Sequence, residues 1–309
     1  MDNSSFNESY LTGFGETQLF GVALDHLTMG TKLQFINCII IIFGIIGNLT
    51  VVIITLANSN MRSTTNYLVS NLAIADSLVL LTHLPLPISE NTAWCKGVHF
   101  LLYIACNASV GSMLALAIDR YLAIVHYSSS SPFRSVKRVN ISMAIMWLLI
   151  VTYSLPELWM FGVRQTGNKR RCVFLRDEGW NSVILSIFLV LVGYLIPLVS
   201  ITTLYLLLCK YIKDTESNVT VGMNVSRKSR NKAIPMLIAS VAAYAVCYAP
   251  IAVGYVIYIC GLNPFKYVEY VITYSMLVTV NSSINPLLYA LFSESYRTAF
   301  KKLFADMFF

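Results

Sequence analysis

The chain has 309 residues, of which 56% are hydrophobic and 12% charged, with a formal net charge of +7. A soluble domain carries about 25% charged residues, so composition excludes an ordinary soluble protein. The basic excess also lacks the interleaved aromatics that single-strand nucleic-acid binding requires, and no nucleic-acid partner is expected.

Seven apolar runs, at about 33–57, 67–88, 98–125, 139–162, 181–212, 233–260 and 267–291, reach the roughly 18-residue length of a membrane span. The fold class read from them is an all-α membrane protein, a seven-transmembrane helix bundle with a short amphipathic C-terminal helix. Of the 22 Lys and Arg residues, fourteen fall on the side that carries Arg120 and eight on the other. Basic residues accumulate on cytoplasmic loops, so the Arg120 side is read as cytoplasmic and the N-terminus as extracellular. The expected location is the cell membrane. The expected divisions are an extracellular tail over 1–30, a membrane domain over 31–291, and a cytoplasmic amphipathic helix with a short tail over 292–309.

No basic region precedes an apolar stretch in residues 1–30, so no cleavable signal peptide is read there. Asn3 and Asn7 each begin an N-x-S sequon on the outer side and are the expected glycosylation sites. Asn48, Asn107, Asn140, Asn218, Asn224 and Asn281 begin the same pattern, but in membrane or cytoplasmic positions. In the first span, Gly44, Gly47 and Asn48 suit close helix packing. The second span carries Asp76 within NLAIADSLVLL. An intramembrane carboxylate marks a functional position. Pro85 and Pro87 are expected to kink the outer end of that helix.

The third span begins near Cys95 and ends on Asp119, Arg120 and Tyr121. Cys95 and Cys172 both face the oxidising side, where disulfides persist, and are expected to pair; Cys260 is the competing cysteine near the outer surface. The stretch VRQTGNKRRCVF reads as a hairpin pinned at Cys172. Its Arg164, Lys169, Arg170 and Arg171 are either a lure for an acidic ligand or a solvated charge run. The fifth span contains Pro197 and Tyr205. The sixth contains Tyr244, Cys247, Tyr248 and Pro250, and a proline inside a helix makes a bend that can act as a hinge. The seventh contains Asn281, Ser282, Asn285, Pro286 and Tyr289. Beyond it, Tyr296, Phe300, Leu303 and Phe304 oppose Lys301 and Lys302, the pattern of a helix lying on the inner membrane surface. No cysteine follows it that could be palmitoylated. The histidines (His26, His83, His99 and His126) are scattered, with neither metal-ligand spacing nor a catalytic cluster, so an enzyme is not expected.

Taken together these residues resemble the rhodopsin-like (class A) G-protein-coupled receptors over about 33–304. The carriers are Gly47-Asn48, Leu72-Ala73-x-x-Asp76, Cys95 with Asp119-Arg120-Tyr121, Trp147, Pro197 with Tyr205, Cys247-x-x-Pro250 and Asn285-Pro286-x-x-Tyr289. The tail SESYRTAF resembles that of galanin- and allatostatin-type neuropeptide receptors.

The resemblance implies signal transduction without a required cofactor. A ligand shifts a pre-existing equilibrium, the inner half of the sixth helix swings outward about Pro250, Tyr205 and Tyr289 move inward, and Arg120 is freed. The cavity so opened takes a helix of a heterotrimeric G protein. Asp76, Ser109, Asn281, Ser282 and Asn285 match the family's sodium site, with Na+ as an allosteric ion. Three departures from the family stand out. Tyr248 replaces the usual Trp and Tyr244 the usual Phe. The inner end of the sixth helix is basic (Arg227, Lys228, Arg230, Lys232), where an acid often locks the arginine, so raised basal signalling is expected.

Amine receptors place an aspartate where this chain has Leu102, which disfavours an amine ligand. The pocket candidates are Leu102, Tyr103, Cys106, Ile251, Tyr255, Ser275 and Thr279, all apolar or neutral. A peptide ligand is the favoured reading. A lipid ligand or ligand-independent signalling are alternatives within the same fold, and a transporter is a distant one, since no internal repeat is present. The partners expected are the ligand, a G protein, membrane lipid and arrestin, whose recruitment through the short, hydroxyl-poor tail should be limited.

Overall fold

The computed structural model describes residues 16–84, 91–125, 135–166, 169–174, 180–216, 234–262 and 268–308. The expected glycosylation sites Asn3 and Asn7, the kinking Pro85 and Pro87, and the basic residues 227–232 lie outside them.

Helix α1 (Glu16–Ala57) begins well before the apolar run it contains, and a 3-10 turn at Ser59–Met61 leads into α2 (Thr64–Thr82). The sequence sets the α2 boundary: Ser63 is its N-cap and accepts from the backbone N–H of Asn66 at 3.3 Å. Helix α3 (Thr92–Val125) starts where Asn91 Oδ1 accepts from the N–H groups of Ala93 and Trp94. Helix α4 (Val136–Ser154) is N-capped by Ser135 and is followed by the short α5 (Glu157–Met160). Strands β1 (Phe161–Thr166) and β2 (Lys169–Phe174) pair antiparallel, Val163 opposite Cys172 and Arg164 opposite Arg171. The fifth span combines α6 (Trp180–Val190), a π-helical turn (Leu191–Leu195) and α7 (Ile196–Glu216). Helices α8 (Ile234–Ile259) and α9 (Val268–Phe292) hold Pro250 and Pro286 in their interiors, and α10 (Glu294–Phe308) closes the chain.

Six of the described spans are long and apolar enough to cross a membrane. The second, α2, is not among them, although the sequence run 67–88 suggested an apolar span. Its Asn71, Asp76 and Ser77 are buried inside the bundle rather than turned to lipid, and it packs against α1, α3 and α9. Helix α3 is the most enclosed of the six, and α4 and the fifth span lie at the outside.

Large apolar side chains such as Phe35, Ile39, Phe43, Leu148, Val199 and Val246 are exposed along the outer faces. In water such a surface would aggregate; in a bilayer it is solvated by lipid. Hydroxyls on these helices bond backward to their own carbonyls, as Thr50 does to Ile46, Ser77 to Ala73 and Ser240 to Met236, which satisfies them without water. Close approach is set by small residues: a Cβ on Gly44 would lie 2.8 Å from the Leu80 side chain and strike Ser283, and one on Gly47 would lie 3.0 Å from Pro286.

Candidate functional site

An outer cavity of about 360 Å³ opens between α3, α5, β1, the fifth span, α8 and α9. The expected pocket residues Leu102, Tyr103, Cys106, Ile251 and Tyr255 line it, and Tyr248 joins them. Ser275 and Thr279 do not. Thr279 is buried against α1, where its hydroxyl bonds Asn37 Oδ1 at 2.5 Å and the carbonyl of Met276. Rotation about the α9 axis turns that face toward α1, a property the sequence does not display. The sequence reading missed His83, Asn107, Glu157, Tyr194 and Tyr274, which also line the cavity. The available signal was a carboxylate, Glu157, inside the outer end of the apolar run 139–162.

The Cys95–Cys172 disulfide is formed and ties β2 to the outer end of α3, while Cys260 remains a free thiol. His99 stacks on Phe161 of β1, ring centroids 3.8 Å apart, and its Nδ1 lies 2.9 Å from the Cys95 carbonyl. The hairpin is therefore clamped over the cavity by one covalent link and one ring stack. Cys95, His99 and Cys172 lie close enough to suggest a metal site, but both thiols are consumed in the disulfide.

Beside the cavity an aromatic chain runs through Tyr194, Tyr244 and Tyr248, with centroid separations of 5.8 and 4.9 Å. Tyr248 is buried, and its hydroxyl lies beside the Cys106 thiol in the cavity wall. The two departures of the sixth helix, Tyr244 and Tyr248, thus sit together at the floor of the cavity, within two turns before Pro250. Tyr270 of α9 donates its hydroxyl to the carbonyl of Pro250 itself.

At mid-membrane, Asp76 is fully buried and receives two hydrogen bonds, from Ser109 Oγ and Asn285 Nδ2, both at 2.7 Å. Asn281 and Ser282 are buried too, Ser282 as a further polar neighbour of Asp76, and Asn281 Nδ2 and Asn48 Oδ1 lack partners among the described residues. A second polar chain staples α2, α3 and α4: Trp147 Nε1 donates to Asn71 Oδ1 at 2.9 Å, and Asn71 Nδ2 donates to Ser112 Oγ at 2.7 Å.

At the inner end, Arg120 Nη2 lies 3.3 Å from Asp119 Oδ2 and also reaches the hydroxyl of Thr65. Thr65 and Thr64 in turn donate to the two oxygens of Asp119, at 2.6 and 3.4 Å. The start of α2 therefore holds the Asp119–Arg120 pair, and only Asp119 and Arg120 of this set were legible in the sequence. Arg120 borders a smaller inner cavity of about 190 Å³ with Met236 and Leu237 of α8. Tyr121 is half-buried, whereas Tyr205 and Tyr289 are buried. Tyr289 stacks on Tyr296 of α10 at 5.5 Å, and the Tyr296 hydroxyl shares a 3.0 Å hydrogen bond with Thr55 of α1.

An enclosed outer cavity, a buried carboxylate and a charged inner end thus share one bundle. The family described as "7 transmembrane receptor (rhodopsin family)" matches residues 47–289. The allatostatin-A receptor of Bombyx mori is 31% identical over 278 residues, covering 85% of this chain and 76% of that protein. Galanin receptor 2b of Danio rerio is 28% identical over 86% of this chain and 73% of its own length. Somatostatin receptor type 2 of Mus musculus is 27% identical over 90% of this chain and 78% of its own. The chain belongs to the rhodopsin family of seven-transmembrane receptors.

Proposed function

We propose that this receptor sits in the cell membrane with its N-terminus outside, binds a peptide in the outer cavity and activates a heterotrimeric G protein. The observation that carries the reading is that α3 joins both ends: Leu102, Tyr103 and Cys106 line the outer cavity, and Arg120 borders the inner one. The relatives, receptors for allatostatin-A, galanin and somatostatin, support a peptide over a lipid. The wide cavity beneath a clamped hairpin suits an extended polar chain entering from water.

Activation is proposed to swing the inner half of α8 outward about Pro250, with Met236 and Leu237 leaving Arg120, so that a helix of the G protein enters the enlarged inner cavity. In the described arrangement Asp119 and Thr65 hold Arg120. That hold replaces in part the acid that the basic start of the sixth helix lacks, and it moderates the raised basal signalling expected from the sequence.

The Asp76 cluster fits a sodium ion as an allosteric ligand. It offers a buried carboxylate with the Ser109 and Ser282 hydroxyls beside it, oxygen donors of the hard type that a cation such as Na+ takes. As oriented, Asn285 presents its NH2 group to Asp76, so its amide oxygen would have to turn to serve as a ligand.

The test is nucleotide exchange on purified G proteins by the membrane-embedded receptor, with allatostatin-A, galanin and somatostatin peptides and an Arg120→Ala control. The reading expects at least one peptide to accelerate exchange by the wild-type receptor and none by the control. Acceleration by lipid extracts alone, with every peptide silent, would favour the lipid alternative.

A further inference from the structure

Glu157 is the one carboxylate among the described residues lining the outer cavity, and no described lysine or arginine lines it. The other titratable lining groups are two histidines, five tyrosines, the disulfide-bonded Cys172 and Cys106. The Glu157 residue is only 2% exposed, and its Oε1 has no hydrogen-bond partner among the described residues. A polar side chain enclosed this fully normally finds a partner, and an enclosed charge costs a great deal without one. Pro156 caps the short α5 without a side-chain hydrogen bond, and Leu102, Tyr103, Phe161 and Tyr255 supply apolar and aromatic walls. Walls of that kind weaken screening and strengthen a charge pair, and the tyrosine faces add favourable contacts to a cation.

We propose that Glu157 is the counter-ion for a cationic group of the ligand, an arginine or lysine side chain or a free terminal amine, seated in the outer cavity. The proposal rests on the peptide-receptor reading and gives it a chemical specificity: whether the basic hairpin sequence draws acidic ligand groups or is only solvated, Glu157 selects one positive group inside the cavity. It also distinguishes this site from an amine site built on α3, since Leu102 occupies the corresponding position and the carboxylate comes from the end of the fourth span.

Two measurements test it. The first needs no agonist. Cys106 lines the same cavity, and its labelling in the intact receptor is followed by mass spectrometry with a trimethylammonium and a sulfonate methanethiosulfonate reagent. Labelling is run at pH 9, where the enclosed carboxyl is ionised; there Glu157 should favour the cationic reagent, and Glu157→Gln should lower the cation-to-anion rate ratio by about tenfold, with Glu157→Asp retaining most of it. An equal ratio in wild type and Glu157→Gln, as expected if a hairpin arginine already neutralises the carboxylate, overturns the proposal.

The second uses each peptide among allatostatin-A, galanin and somatostatin that activates the receptor. The peptide is resynthesised with arginine as citrulline, lysine as norleucine or the α-amine acetylated. Neutralising the anchored cation and Glu157→Gln should each cost about tenfold in potency, and together little more than either alone. Multiplicative losses overturn the proposal. If no peptide activates the receptor, the peptide reading fails while the labelling ratio still decides the role of Glu157. Surface expression of every variant is measured alongside.

Discussion

The hydroxyl of Tyr244 donates to the backbone carbonyl of Gly193, 2.7 Å away, joining the sixth span to the one described turn that is wound as a π-helix. Tyr194 returns the link by donating to the carbonyl of Ala245 at 2.8 Å. A π turn displaces the ordinary backbone pairing and is a common device at functional positions, and here it leaves Gly193 facing its neighbour. Both links lie between Pro250 and the Ile234 end of α8, so they must stretch if that half of the helix swings outward.

Tyr244→Phe keeps the ring and removes one bond worth about 1 kcal/mol. If the bond is lost on activation, ligand-free signalling should rise about fivefold, measured as basal G-protein activation at matched surface expression. An unchanged basal signal would mean that the tyrosine link persists in the active state.

The Asp76 cluster gives a second prediction. Purified wild-type receptor should melt at a higher temperature in sodium chloride than in choline chloride at equal ionic strength, because an ion bound only by the folded state stabilises it. Asp76→Asn should erase that difference. The substitution also turns an acceptor facing Asn285 Nδ2 and Ser109 into an amide, so a changed melting temperature in both salts is expected; the sodium-dependent increment is the quantity that decides. An increment surviving in Asp76→Asn rules the site out.

Tyr296 anchors α10. It is 2% exposed, stacks on Tyr289 and bonds Thr55. Tyr296→Ala removes an enclosed ring and should lower stability by about 3 kcal/mol, while Tyr296→Phe removes only the hydroxyl and should cost about 1 kcal/mol. Thermal unfolding in detergent separates the two. Equal, small effects for both would show that α10 is held by the membrane surface and not by the bundle.

The sequence by itself determined the class of this molecule. Bilayer thickness demands long apolar runs, and these are a property of the chain read in one dimension. The expected Cys95–Cys172 pairing and the cysteine that competed for it needed only the side of the membrane on which each lies. Asp76 and Arg120 stood out because charge is scarce in such segments.

Tertiary structure decided how each helix is turned. Thr279 faces α1 and not the cavity, Thr65 reaches across to Asp119, and α2 looks too polar for a span because its polar residues are enclosed by α1, α3 and α9. The burial of Glu157 depends on α5 packing against α3 and β1. These facts arise from side-chain packing between helices distant in the chain, where small rotations decide which face meets lipid, neighbour or cavity, and hydropathy along one helix does not carry that rotation.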